Sequence, residues 1–137
     1  MSTLISQKRD LRKILTKKRD IIKKNATVEF NYNVFKQLKK FIDFEKINDV
    51  ASFASIRSEI STTQLNKEII ELGKNLSFPV IVKNSNQLKF KRSNLKSTFK
   101  LGKFNIPEPV DDKKDVIPQL IFVPCLGFDL KGFRLGY

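Results

Sequence analysis

Two short uncharged runs, Val50-Ala51-Ser52-Phe53-Ala54 and Pro79-Val80-Ile81-Val82, bracket a segment of helical periodicity. No other feature of the chain constrains its fold as much. The first run is small-to-apolar on both faces, as suits a strand inside a parallel sheet, where both faces are covered. Between the runs, Ser61 with Gln64 predicts a capping box opening a helix that carries Leu65, Ile69, Ile70 and Leu72, with Gly73 near its end. A strand–helix–strand unit of this length puts its strands side by side and parallel, because the helix carries the chain back to the end of the sheet where the first strand began. Leu120-Ile121-Phe122-Val123 predicts a further buried strand. Asn84-Ser85-Asn86 is turn chemistry, and Leu88-Lys89-Phe90-Lys91 alternates as an exposed strand does. Residues 92 to 118 read as irregular.

Ahead of this unit the pattern is helical. Leu4, Leu11, Ile14, Leu15 and Ile22 fall on one stripe at a 3.6-residue period, with neither Pro nor Gly between them, which predicts a helix over 5–24 with that stripe buried. A second helix is predicted from Thr27 to Phe41, with Val34, Phe35, Leu38, Phe41 and Ile42 on its inner face. The expected fold class is therefore α/β, an N-terminal helical pair followed by a sheet. At 137 residues the chain is expected to form one domain, residues 1–137.

Charge and composition narrow the chemistry. Lys and Arg number 27 against 14 Asp and Glu, a net charge of +13, which suggests a polyanionic partner: nucleic acid, anionic membrane or a phosphorylated small molecule. Residues 1–24 alone carry nine basic and two acidic side chains. There is no histidine and a single cysteine, so an internal disulfide, a Cys/His zinc site and every mechanism with a histidine base are excluded. Cys125, between a strand and a glycine, is placed like a nucleophile but has no histidine to activate it, and reads as a small buried filler. No run approaches the roughly 18 apolar residues needed to span a bilayer.

Three constellations could carry chemistry. Lys8, Arg12, Arg19 and Lys23 form a row beside the apolar stripe, where basic stems pack at the edge of a core and their heads converge on an anion. Arg9, Lys13, Lys17 and Lys24 point further out. The row pairs naturally with the closing segment, where Gly127, Gly132 and Gly136 surround Arg134: glycines let backbone N–H groups approach phosphate, and Arg neutralises it. No Walker A pattern is present, and the glycines also suit an ordinary loop. The second constellation is Ser55-Ile56-Arg57-Ser58-Glu59, just after a strand, where Glu59 could read the edge of a polar heterocycle or simply sit in solvent ahead of a helix N-terminus. The third is Phe104-Asn105-Ile106-Pro107-Glu108-Pro109, a stiff segment able to present an aromatic wall or merely to fix chain direction. The chain stops inside the glycine-rich loop after a strand, from which a chain lacking its C-terminal part is expected.

Taken together these segments resemble the 5-formyltetrahydrofolate cyclo-ligase (methenyltetrahydrofolate synthetase) family. The resemblance rests on Lys8-Arg9-Asp10-Leu11-Arg12, on Ser52-Phe53-Ala54-Ser55 through Glu59-Ile60, on Phe104 to Pro109, and on Leu120 to Pro124 with Gly127-Phe128-Asp129, Gly132 and Arg134-Leu135-Gly136. It implies a three-layer α/β sandwich with a mostly parallel central sheet, incomplete at the C-terminus.

The resemblance also implies a reaction: ATP- and magnesium-dependent closure of 5-formyltetrahydrofolate to 5,10-methenyltetrahydrofolate, with release of ADP and phosphate. The formyl oxygen takes the γ-phosphoryl group, N10 attacks the activated carbon, and phosphate leaves. Such chemistry asks for charge neutralisation and positioning rather than a strong protein base. Carried over residue by residue, Lys8, Arg9, Asp10, Leu11 and Arg12, with Arg134, Leu135, Gly136 and Tyr137, would contact ATP, Lys8 and Arg134 being the catalytic pair. Ala54, Glu59, Phe104 and Tyr137 would line the folate site, Glu59 on the pterin side. The family's magnesium-binding aspartate follows a position matching Tyr137, so no metal ligand is expected within these residues. A cytoplasmic monomer with a small-molecule substrate and neither nucleic acid nor membrane as partner is expected. Two other readings stand beside it: an inactive remnant, and a basic nucleic-acid-binding module whose affinity would fall steeply with salt.

Overall fold

The computed structural model describes residues 3–85, 87–110 and 114–136. The chain opens with helix α1, Leu4–Asn25, whose N-cap Thr3 accepts a hydrogen bond from the Ser6 N–H and whose last turn carries Lys23 and Lys24, favourable to the helix dipole. Helix α2, Val28–Leu38, is capped by Thr27 in the same way, and stops short of the expected Phe41 in a run of turns. A single 3-10 turn, Phe44–Lys46, leads into strand β1, Asp49–Ala51.

Helix α3, Thr63–Glu71, then crosses to strand β2, Asn75–Ile81, and β1 and β2 pair in parallel from Asp49↔Asn75 to Ala51↔Ser77. Gly73 supplies the left-handed residue (φ 73°) that ends α3, with the Gly73 and Lys74 N–H groups closing on the Ile70 and Ile69 carbonyls. The expected parallel unit is thus present. Strand β3, Leu88–Ser93, runs antiparallel to β2. Residues 92–118, read as irregular, hold three short strands: β4, Phe99–Leu101, paired with β5, Pro107–Pro109, and β6, Asp115–Val116, on the edge of β3. Strand β7, Leu120–Ile121, lies parallel on the other side of β1, giving the sheet order β6-β3-β2-β1-β7. Four of these strands share one direction and β3 opposes them. A small hairpin of β8, Gly127–Phe128, and β9, Arg134–Leu135, follows. The architecture is α/β, a helical pair followed by a mostly parallel sheet.

The core lies between α3 and the sheet. Val50, Ile69, Leu76 and Phe78 are buried there, each contributing on the order of 1.5–3 kcal/mol, and Phe99 packs edge-on against Phe78. Phe35 of α2 and Phe44 form a second, smaller cluster. Among the described residues no helix is long and apolar enough to cross a membrane.

Five local expectations are corrected. The apolar stripe of α1 is not buried: Leu4 is 67% exposed, Leu11, Ile14 and Ile22 are exposed, and only Leu15 is half-covered, because the helix meets the rest of the chain along its edge. Phe41, assigned to the inner face of α2, is 84% exposed once the helix has ended before it. The Ser61–Gln64 capping box does not form. Thr62 holds the cap position, its hydroxyl donates to the Phe53 carbonyl, and Gln64 turns to Glu68 instead. Finally, the strand expected over Leu120–Val123 is shorter, Leu120–Ile121, and lies on the edge of the sheet rather than buried, with Ile121 and Val123 each about half exposed. Cys125 is likewise only half-buried.

Candidate active site

Parallel strands deliver their following loops to the same end of a sheet, and binding sites gather there. Here the loop after β1, residues 52–62, and the segment after β7, residues 122–136, emerge together, and α1 lies along both. The contact is made by the basic row read from the sequence. Arg12 Nε donates to the Gly136 carbonyl at 2.9 Å, Arg19 Nε to Ser58 Oγ at 3.2 Å, and Lys23 Nζ to the Glu59 carbonyl at 2.8 Å. Between them Leu15 presses on Gly127 so closely that a Cβ there would stand 2.8 Å from Leu15 Cδ1. Helical spacing explains the row, since residues three and four apart share a face.

The five residues from Lys8 to Arg12 divide accordingly. Arg12 reaches the closing segment. Lys8, one turn earlier on the same row, is exposed, as are Leu11, Arg9 and Asp10, the last two joined by a loose pair at 3.9 Å. At the other end Arg134 and Gly136 are exposed and Leu135 is half-buried; Arg134 and Gly136 line a cavity of about 440 Å³ with Gly132 and Cys125. Gly132 takes φ 83° and has open space where a side chain would be. Tyr137 lies outside the described residues.

The loop after β1 folds back on its own carboxylate. Glu59 is only 4% exposed, contrary to a solvated reading, and its Oε2 accepts the Ile56 N–H at 2.9 Å. That bond bridges Arg57, which sits in the left-handed region (φ 52°), so the carboxylate helps hold a strained turn. Ser55 and Thr62 fasten the far side, Ser55 Oγ donating to the Ile60 carbonyl at 2.6 Å. A largely apolar cavity of about 210 Å³ opens beside the loop, and both Ala54 and Glu59 line it. So does Ser52, whose buried hydroxyl has no hydrogen-bond partner among the described residues. A buried polar atom without a partner is costly, and a donor- and acceptor-bearing ligand relieves it. A second cleft of about 320 Å³, between α1 and α2, shares Glu59 and reaches Arg19 and Lys23.

Phe104 is brought near the site but not into it. Its ring is 70% exposed, with Lys103 Nζ 5.1 Å from the ring centre, while Ile106 and Glu108 of the same segment line the cavity beside Ala54 and Glu59. Glu108 is the residue that sequence reasoning missed. Its signal was a carboxylate between two prolines, where a solvated residue carries no obvious reason to be fixed. Among the described residues no group of three or more acidic or cysteine side chains gathers as a metal cage.

The arrangement offers a basic, glycine-lined end fitted to phosphate and an apolar slot ending in a carboxylate fitted to a polar ring. Comparison with known proteins places the whole of this arrangement in one family. The sequence profile of the 5-formyltetrahydrofolate cyclo-ligase family matches residues 4–137. The 5-formyltetrahydrofolate cyclo-ligase of Haemophilus influenzae is 31% identical over 100 residues, covering 69% of this chain and 54% of that protein. The solution NMR structure of the Aquifex aeolicus 5,10-methenyltetrahydrofolate synthetase superimposes with a TM-score of 0.74 at 31% identity, over 95% of this chain and 66% of that one. The chain therefore spans about half the length of the curated relative it matches.

Proposed function

The chain belongs to the 5-formyltetrahydrofolate cyclo-ligase family, and from that premise we propose that it supplies the nucleotide-facing and folate-facing walls of an enzyme that closes 5-formyltetrahydrofolate to 5,10-methenyltetrahydrofolate at the expense of ATP. One observation carries the reading: a basic helix joins the two loops that leave β1 and β7, through Arg12–Gly136 and Lys23–Glu59. ATP supplies the phosphoryl group that turns the formyl oxygen into a leaving group. Lys8, Arg12 and Arg134 neutralise the phosphates, and the open backbone at Gly132 and Gly136 lets them approach closely. Arg9, Asp10, Leu11 and Leu135 set the backbone around them, and Tyr137, outside the described residues, is assigned to ATP and folate by the family resemblance alone. No magnesium ligand is assigned to these residues.

On the folate side, Ala54 and Ser52 floor the cavity and Glu59, buried and held by the Ile56 N–H, accepts hydrogen bonds from the ring edge. A carboxylate fixed in low dielectric discriminates strongly for a donor-bearing partner, since an unmatched ligand leaves it uncompensated. The chain acts on a small molecule in the cytoplasm, as a monomer.

The test is to mix the protein with 5-formyltetrahydrofolate and magnesium, with and without ATP, and follow the near-ultraviolet absorbance of the methenyl product. Product that depends on ATP supports the reading. Binding of both ligands without product assigns these residues to recognition alone. Binding of neither, with salt-sensitive affinity for DNA instead, overturns it.

A further inference from the structure

Strand β5 has an unusual way of being held. Pro107 and Pro109 have no N–H, so Pro107-Glu108-Pro109 offers the Glu108 N–H as its lone backbone donor. Its ladder to β4 is three residues long. The neighbouring strand β2 has the opposite deficit. β1 accompanies it only from Asn75 to Ser77, so towards Ile81 that edge has no strand beside it among the described residues. Glu108 joins the two: its side chain is 7% exposed and Oε1 accepts the Ile81 N–H at 3.0 Å.

The same carboxylate rests on Gly102. A Cβ at that position would lie 2.3 Å from Glu108 Cδ, so a glycine is needed to leave room for the acid group. Gly102 opens the turn that reaches Ile106, where Phe104 (φ 61°) and Asn105 (φ 58°) stand one after the other in the left-handed region. Two such residues in succession, neither of them glycine, persist only where the surroundings fix them. The turn's own bonds, Gly102 N–H to the Ile106 carbonyl and Ile106 N–H to the Lys103 carbonyl, close it locally but tie it to nothing else. Phe99, ahead of the turn on β4, packs on Phe78 of the sheet, and beyond the turn the Glu108 carboxylate supplies the hydrogen bond that ties it there.

We propose that Glu108 is a positioning residue for the folate cavity. By clamping β5 to the open edge of β2, it fixes the 102–106 turn so that Ile106 forms a wall beside Ala54 and Glu59 and Phe104 forms the lip. This rests on the folate reading of that cavity and adds the residue that sets its shape. The role requires an acceptor at Oε1, not a charge, so Glu108→Gln keeps it and Glu108→Ala loses it.

The experiment compares the parent chain, Glu108→Gln and Glu108→Ala. Exchange of the Ile81 amide is followed by NMR, and calorimetry titrates 5-formyltetrahydrofolate and ATP separately. Glu108→Ala is expected to speed Ile81 exchange at least tenfold and to weaken 5-formyltetrahydrofolate about tenfold, with ATP affinity unchanged; Glu108→Gln matches the parent throughout. Should Glu108→Ala fail to fold, Gly102→Ala, which displaces the carboxylate without removing it, is expected to give the same signature. Equal weakening of both ligands overturns the proposal in favour of a general structural role. Loss of folate affinity in Glu108→Gln with the Ile81 amide still protected overturns it too, since the carboxylate then touches the ligand. If the parent binds no folate, the functional reading fails, and unchanged Ile81 exchange in Glu108→Ala would separately dispose of the clamp.

Discussion

Arg12 and Gly136 stand 124 positions apart in the chain and are joined by one bond, the guanidinium Nε donating to the carbonyl at 2.9 Å. The bond is exposed, so its contribution to stability is small, but it aims a guanidinium at the glycine-lined end of the site. Arg12→Ala is expected to weaken ATP roughly 10- to 100-fold, the range for a lost charged hydrogen bond, while the urea midpoint hardly moves. Arg12→Lys is expected to recover little, because a point charge does not reproduce the planar fork. Calorimetric titration with ATP decides it: undiminished affinity in Arg12→Ala removes this residue from the phosphate site.

Helix α1 has no buried residue, and its docking depends on a few edge contacts, among them Leu15 against Gly127, where a Cβ would find no room. Gly127→Ala is expected to turn aside the tip of the half-covered Leu15 side chain, at a cost of about 0.5–1.5 kcal/mol for an off-rotamer leucine. Leu15→Ala removes the obstructing methyl groups, so the double variant should be more stable than additivity predicts. Urea denaturation of the four proteins gives the coupling, and strict additivity would mean that the two residues do not meet.

The parts of the fold legible in the sequence are those set by local pattern. The β1–α3–β2 unit could be read because Val50, Ile69 and Val80 lie in segments whose local pattern matches their structure, although β2 begins at Asn75, ahead of the expected Pro79. The fate of the α1 stripe could not be read, since periodicity reports that a face is apolar and not what covers it. Within the site, the basic row was visible as helical spacing, and Glu59 as an acid after a strand. Its burial was not, because that depends on the loop closing onto the Ile56 N–H. The Ser61–Gln64 box failed for a related reason: the Thr62 hydroxyl is engaged by the Phe53 carbonyl, a tertiary partner. Glu108 was missed because its partner, Ile81, lies on a different strand.

Glu59 carries two separable duties, closing its own loop and presenting a carboxylate to the cavity. Glu59→Gln keeps an oxygen for the Ile56 N–H and loses the charge, so stability should hold while 5-formyltetrahydrofolate weakens roughly 10- to 100-fold. Glu59→Ala should lose both, with a further stability cost of about 1–3 kcal/mol for the unsatisfied buried amide. Unaltered folate affinity in Glu59→Gln would show that the acid is structural only.

Asp115 gives the chain a pH dependence that can be assigned to one place. It pairs with Lys89 at 2.6 Å and Lys91 at 2.9 Å, and those hydrogen bonds, Lys89 first, hold its carboxyl below the usual aspartate range. A carboxyl held low binds fewer protons folded than unfolded around its ordinary pKa of about 3.9, so its contribution is present above that value and is lost as pH falls through the folded one. The pair also anchors a fragile element, since β6 joins β3 through just Phe90↔Val116 and Lys91↔Asp115. Asp115→Asn is therefore expected to lower stability at neutral pH and to hasten exchange at the Val116 amide. The difference from the parent should shrink as pH drops below about 4 and as salt screens the exposed charges. Urea denaturation across pH measures it. A stability difference that stays constant from neutral to acid pH would show that Asp115 acts through packing rather than through its charge.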